Sequence, residues 1–210
     1  IRIWSRGVDT TLFSPQRRSR DLRDEWRVSA DRPVLLYVGR LSKEKGLAQL
    51  PLLQAALRAR FVSHRLVIAG DGPLRRQLAT ECPEAVICGP LGRDEVARVL
   101  ASADVFVFPS ETDTAGNVVL EAQASGLPVV VSAMGGPKEQ MLPGVTGAVC
   151  AGRDAASWAE AIAALCQDPA HAAASAAARE FALTRRWDLA LAPLFKAYRE
   201  IGVRRARHAA

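Results

Sequence analysis

The chain has little of what metal, redox and membrane proteins are built from. Its 210 residues include four cysteines, three histidines, two methionines and two tyrosines, and aromatics make up only 6%. Cys82, Cys88, Cys150 and Cys166 form no C-x-x-C pair and no histidine stands at zinc spacing from them, so neither a metal site nor a disulfide framework is indicated. Buried, reduced thiols are the expectation. No apolar run reaches the roughly 18 residues that a membrane helix needs. The opening IRIWSR lacks the charged-then-apolar order of a signal peptide, and the expectation is a soluble, cytoplasmic protein. Lysine is scarce as well. Lys43, Lys45, Lys138 and Lys196 are the four lysines among 28 basic residues, and the rest are arginines, many set among alanines. The formal charge of +6 forms no stripe interleaved with stacking aromatics, so no nucleic-acid partner is expected.

What remains is an ordinary globular composition, 49% apolar and 24% charged, which excludes disorder, collagen-like repeats and coiled coil. At roughly 100–200 residues per domain the length bounds the answer at one large domain. Between Val34 and Cys150, short β-branched runs alternate with amphipathic stretches. That alternation predicts an α/β fold, a Rossmann-like, doubly wound parallel sheet of about six strands with helices on both faces. Strands are predicted at 34–38, 65–69, 85–88, 104–108, 128–131 and 145–149, and helices at 44–61, 73–80, 93–102 and 117–125. The chain then turns helical, over 155–167, 172–183 and 189–204, with a breaker at Asp168-Pro169. Residues 1–30 do not share the pattern. They read as a connector and lead-in whose charged stretch 17–27 links domains or caps one, 31–186 as the sheet domain, and 187–210 as a last helix with a charged tail.

In open parallel sheets ligands bind beyond the carboxyl ends of the strands. The first strand ends in GRLSKEKG (39–46), which places Gly39 beside Arg40 and Lys45, two cations suited to an anion or simply a solvated basic loop. No P-loop and no G-x-G-x-x-G follows it. The second strand ends at Gly70-Asp71-Gly72-Pro73 and the third at Gly89-Pro90-Leu91-Gly92, either as walls of a cleft or as plain strand-to-helix turns. Most informative is the polar loop 109–116, which opens directly into a helix. Free N–H groups from Gly116 through Asn117 and Val118 to Val119 would face outward with the positive end of the helix dipole, where a phosphate fits. Glu121 leans back toward the same mouth and Asp113 faces it from the loop. Both are acceptors for the hydroxyls of a ribose or hexose, the alternatives being a turn cap for Asp113 and a solvated Glu121.

Taken together, Gly39-Arg40 with Lys45, the Gly70–Pro73 turn, Pro109-Ser110, an acid eight positions before Glu121, GLPVV (126–130), Gly135-Gly136-Pro137 with Glu139, and Gly147 resemble the C-terminal, donor-binding half of a family 4 retaining glycosyltransferase with the GT-B fold. The resemblance extends over residues 1 to about 200. Arg6-Gly7-Val8-Asp9 and Thr112-Asp113-Thr114 resemble the subgroup that uses GDP-mannose, mannosyltransferases acting on lipid or glycan acceptors. Two positions depart from the pattern: Asp113 stands where glutamate is usual, and Ala115 where an aromatic is usual.

The resemblance implies that Arg40 and Lys45 clamp the donor diphosphate and stabilise it as it leaves. It assigns the amides of Gly116, Asn117, Val118 and Val119 to phosphates and hexose hydroxyls, Asp113 to a hexose hydroxyl, Glu121 to the ribose, and the base to the neighbourhood of Leu91 and Gly92. Gly39, Gly70 and Ala115 would lie beside the donor. The substrate would be a nucleoside-diphosphate sugar, GDP-mannose or a UDP-sugar, with no cofactor and no metal required. The resemblance also implies a partner, an N-terminal acceptor-binding domain that this chain lacks, without which the donor would bind but not react. A lipid-linked acceptor would bring the protein to the inner face of the cytoplasmic membrane. The alternatives are a nucleotide-sugar epimerase, which would use a histidine in the cleft, and a non-catalytic receiver-like module, which would want aspartates where Gly39-Arg40 stand.

Overall fold

The computed structural model describes residues 5–208 except 30, 31, 61 and 153, with side chains described to residue 200. Six parallel strands form one sheet in the order β3-β2-β1-β4-β5-β6. They are β1 (Val34–Val38), β2 (Arg65–Ala69), β3 (Val86–Gly89), β4 (Val105–Phe108), β5 (Val129–Ser132) and β6 (Gly147–Cys150). The central strands β1, β4 and β5 are apolar along nearly their whole length because helices cover both faces, and they are buried accordingly. The edge strands β3 and β6 are only partly buried.

The helices are α1 (Arg20–Glu25), α2 (Gln49–Ala59), α3 (Arg75–Glu81), α4 (Arg93–Ser102), α5 (Asn117–Ala124), α6 (Ala155–Leu165), α7 (Asp168–Leu183) and α8 (Trp187–His208). In α2 the buried positions Leu50, Leu53, Gln54 and Leu57 recur at helical spacing and turn one stripe to the sheet. Glu95 closes the start of α4 by accepting the Gly92 N–H at 2.7 Å, and Asp154 caps α6 by accepting from Ala156 and Ser157.

Two expectations are corrected. The helix predicted over 44–61 is a 3-10 turn, Lys43–Lys45, followed by Gly46 at φ 69° and then α2. Pro51 has no N–H to donate and is tolerated only in the first helical turn, so the α-helix starts at Gln49. At Gly46 a Cβ would stand 2.4 Å from the Pro109 carbonyl oxygen, so the chain must turn there with no side chain. Asp168-Pro169, read as a breaker, instead opens α7, the first turn being the place where a missing N–H costs nothing.

The N-terminal segment is docked on the sheet domain. Phe13 and Trp26 are buried, Ser19 N–H donates to Ser102 Oγ, and Arg18 and Arg23 both pair with Asp104 at 2.8 Å. Val8 N–H donates to the Arg185 carbonyl, so this segment also meets the start of α8. That helix runs on to His208, and Trp187, Leu189, Phe195 and Tyr198 are exposed along it. The side chains of the charged tail from residue 201 lie outside the described residues. Among the described residues no helix is long and apolar enough to cross a membrane.

At the carboxyl ends of β1, β2 and β3 the chain packs backbone on backbone. Gly70 donates its N–H to the Gly89 carbonyl, holds φ at 142°, and a Cβ there would lie 1.9 Å from the Gly39 carbonyl oxygen. Gly70→Ala is therefore expected to lower stability by at least about 1–3 kcal/mol, the range for overpacking. Thermal unfolding of the variant beside the parent checks it.

Candidate functional site

The strand order reverses direction between β1 and β4, and the loops that leave their carboxyl ends diverge there to open a crevice. From β1 the chain passes through Gly39 and Arg40 into the 3-10 turn that carries Lys45. The Tyr37 hydroxyl donates to the Arg40 carbonyl at 2.9 Å. Burial, reinforced by the charges of Asp113 and Glu44, pushes the Tyr37 phenol far up, so it remains a donor. Thr112 Oγ1 donates to the Glu44 carbonyl at 2.9 Å and Ser110 Oγ to the same oxygen at 3.4 Å. These hydroxyls of the loop after β4 hold the basic turn of the loop after β1.

Lys45 consequently reaches Asp113. Its Nζ donates to Asp113 Oδ2 at 2.6 Å, with the two side chains only 23% and 20% exposed, and lies 6.0 Å from the centre of the Phe108 ring. Asp113 Oδ1 accepts from the Ala115 and Gly116 N–H groups at 3.2 and 2.9 Å. Burial by itself would raise the Asp113 carboxyl, but the Lys45 and backbone hydrogen bonds outweigh it and hold the group below its ordinary value. Gly136 N–H donates to the Asp113 carbonyl at 2.8 Å, so the glycine pair at 135–136 braces the loop from behind.

Helix α5 starts at Asn117, after Gly116. The Asn117 and Val118 N–H groups have no intramolecular partner among the described residues, and both residues line the cleft. Two of the four expected amides differ. The Val119 N–H donates to the Gly116 carbonyl at 2.8 Å and its side chain is fully buried, while the Gly116 N–H is taken by Asp113. Glu121, one turn into α5, is half-buried with its carboxyl pushed up by desolvation and pulled down by Arg93.

These groups enclose a cleft of about 500 Å³. Of the residues expected from the sequence, it is lined by Gly39, Arg40, Lys45, Asp113, Ala115, Gly116, Asn117, Val118 and Glu121. Gly70 and Gly92 lie outside its lining, and Leu91 lines a separate cavity of about 390 Å³ between α1 and α4. Sequence reasoning missed Phe13, Val38, Arg93, Val96 and Phe108. Arg93 was legible as a cation in the first turn of a helix on the same sheet edge; its guanidinium lies 5.7 Å from the Phe13 ring centre, a contact across 80 residues that no local pattern encodes. His64 bonds the Val62 carbonyl and His171 the Asp104 carbonyl, neither in the cleft. Among the described residues no group of three His, Cys, Asp or Glu side chains gathers as a metal site.

A parallel sheet in the order 3-2-1-4-5-6, with cations, free helix-entry amides and a carboxylate facing one crevice at its switch point, defines a Rossmann-like domain of the kind that forms half of a GT-B fold. Residues 19–181 match the model of the family described as glycosyl transferases group 1, and the chain belongs to that family. It is 36% identical over 202 residues to a GDP-mannose-dependent alpha-mannosyltransferase of Corynebacterium glutamicum, covering 94% of this chain and 47% of that protein. A D-inositol 3-phosphate glycosyltransferase of Mycobacterium avium is 36% identical over 207 residues, covering 92% of this chain and 47% of its own length. Among solved structures, sucrose-phosphate synthase from Thermosynechococcus elongatus superimposes with a TM-score of 0.80 at 28% identity, over 96% of this chain and 53% of that one. The chain thus spans about half the length of the relatives it matches.

Proposed function

We propose that this chain is the donor-binding half of a retaining glycosyltransferase that moves a hexose, mannose from GDP-mannose, onto an acceptor hydroxyl. The observation that carries the reading is the convergence, on one cleft at the β1/β4 switch point, of Lys45, Arg40 and the free amides of Asn117 and Val118. Such donors suit a diphosphate, whose oxygens only accept hydrogen bonds. As the glycosyl–oxygen bond breaks through an oxocarbenium-like transition state, negative charge grows on the leaving diphosphate. Lys45, held by Asp113, and Arg40 on the same cleft oppose that charge, so they stabilise the transition state more than the ground state. Glu121, acceptor-only when ionised, takes hydrogen bonds from ribose hydroxyls. Identity to a GDP-mannose-dependent relative supports the choice of donor.

In the same proposal, residues 1–30 are the connector and lead-in, 31–186 the nucleotide-sugar domain, and 187–210 the crossover helix and tail. The exposed apolar side chains of α8 then meet an N-terminal acceptor-binding domain of the same enzyme, and a lipid-linked acceptor places it at the inner face of the cytoplasmic membrane. Isothermal titration of the chain with GDP, UDP, ADP, GDP-mannose and UDP-glucose, without magnesium, tests the donor site. Saturable binding of the guanine nucleotides is expected, and its loss in an Arg40→Ala/Lys45→Ala variant with unchanged circular dichroism. A folded chain that binds none of them, alone or joined to its acceptor half, overturns the reading.

A further inference from the structure

Asp113 uses both of its carboxylate oxygens inside the protein. Oδ2 accepts from Lys45 Nζ at 2.6 Å, and Oδ1 from the Ala115 and Gly116 amides at 3.2 and 2.9 Å. An ammonium and helix-entry amides at the switch-point edge are the donors that an incoming diphosphate needs. A carboxylate and a diphosphate are both acceptors only, so they compete for these donors and repel each other in one cleft. We propose that Asp113 makes this site discriminate between an intact nucleotide sugar and the free nucleoside diphosphate, disfavouring the latter. The proposal rests on the donor reading above.

The argument turns on what happens to Oδ2. A bare diphosphate that draws Lys45 to itself leaves this oxygen without its donor, beside a second concentration of negative charge in the same cleft. A diphosphate that carries a sugar brings hydroxyl donors into the same cleft, and one of them restores the lost hydrogen bond. The substrate satisfies Asp113 and the nucleotide product does not, so the residue weakens product retention. The length of the side chain matters here. Aspartate reaches the Ala115 and Gly116 amides of its own turn and Lys45 at the same time, which ties one carboxylate to both sets of anion-binding donors.

Asp113→Asn separates these roles. The asparagine carbonyl oxygen can still accept from the two amides and keep the turn, but its NH2 group cannot accept from Lys45, which is released. Titration of the 210-residue chain with GDP and with GDP-mannose, or with UDP and UDP-glucose if the panel above selects uracil, reads the effect. The variant is expected to bind the nucleoside diphosphate more tightly by roughly threefold to tenfold. The nucleotide sugar should gain nothing or bind more weakly, so that the preference for it shrinks. In a Lys45→Ala background the gain should shrink to the part that relief of charge repulsion supplies. If Asp113→Asn binds the nucleoside diphosphate no more tightly than the parent, or if the gain is undiminished without Lys45, the inference falls while the donor site stands. If the folded parent binds neither ligand, alone or joined to its acceptor half, the donor reading falls and takes the inference with it.

Discussion

Replacing Lys45 with alanine is expected to reduce kcat by about a hundredfold to a thousandfold, the usual cost of removing one preorganised donor from a developing negative charge. The assay uses this chain joined to the acceptor-binding half that the proposed function requires. Lys45 sits on a 3-10 turn pinned by Thr112 and Ser110 to the loop after β4, so its ammonium is held beside the amides of α5 instead of sweeping through solvent. In the proposed reaction the charge it meets is larger in the transition state than in the bound donor, so kcat and kcat/KM should fall together with a smaller change in donor affinity. The fold should tolerate the change. A partly exposed ion pair is worth about 0–1 kcal/mol, and Asp113 keeps its two backbone donors when Lys45 is gone. Stopped-time assays beside thermal unfolding separate the two effects. A Lys45→Ala enzyme with unimpaired turnover would remove this residue from the reaction.

The largest expected effect on stability comes from a residue remote from the cleft. Asp104, at the start of β4, accepts from Arg18 and Arg23 and from the Val34 N–H of β1, each at 2.8 Å. It joins the N-terminal segment to the two central strands. Its side chain is 15% exposed and that of Arg23 is 12% exposed, so Asp104→Ala takes the counter-charge from a mostly buried guanidinium that keeps only the Ser102 and Arg32 carbonyls, and leaves a strand N–H without its acceptor. Breaking a buried pair by removing one partner costs about 3–5 kcal/mol, and urea unfolding of the variant should show it. Asp104→Asn, which keeps an acceptor for Val34, should cost less. Burial opposes ionisation of Asp104, but the hydrogen bonds from Arg23, Arg18 and Val34 prevail and hold its carboxyl below the ordinary value. A depressed carboxyl contributes fully above its unfolded pKa of about 3.9 and loses its contribution as pH falls through the folded value. Parent and Asp104→Ala stabilities should therefore converge only below about pH 4.

The fold was legible where burial on both faces writes itself into a run of residues. Val34-Leu35-Leu36-Tyr37 and Val129-Val130-Val131 admit little but central strands of a parallel sheet, and both are buried throughout. It was misread where a single residue overrides a pattern. The stretch after Lys43 has helical periodicity, yet the backbone approach of Gly46 to Pro109 imposes a turn. Asp168-Pro169 has the composition of a break and the geometry of a helix start.

The candidate site divides the same way. Arg40, Lys45, Asp113, Gly116 and Glu121 could be placed at strand ends and a helix entry from the sequence, because parallel topology sends every such end to one edge of the sheet. Which of their donors are free is another matter. Lys45 and Asp113 are 68 residues apart and meet at 2.6 Å, the Gly116 amide serves Asp113, and the Val119 amide closes the first turn of α5. Arg93 enters the cleft beside Phe13 from the far side of the sheet order. The residue types and their order along the chain determined the sheet, its switch point and the chemistry of the groups gathered there, because side-chain periodicity and strand direction are local properties. Only the tertiary structure decided which acceptor each donor faces, because hydrogen bonds are settled within tenths of an ångström between segments that packing brings together.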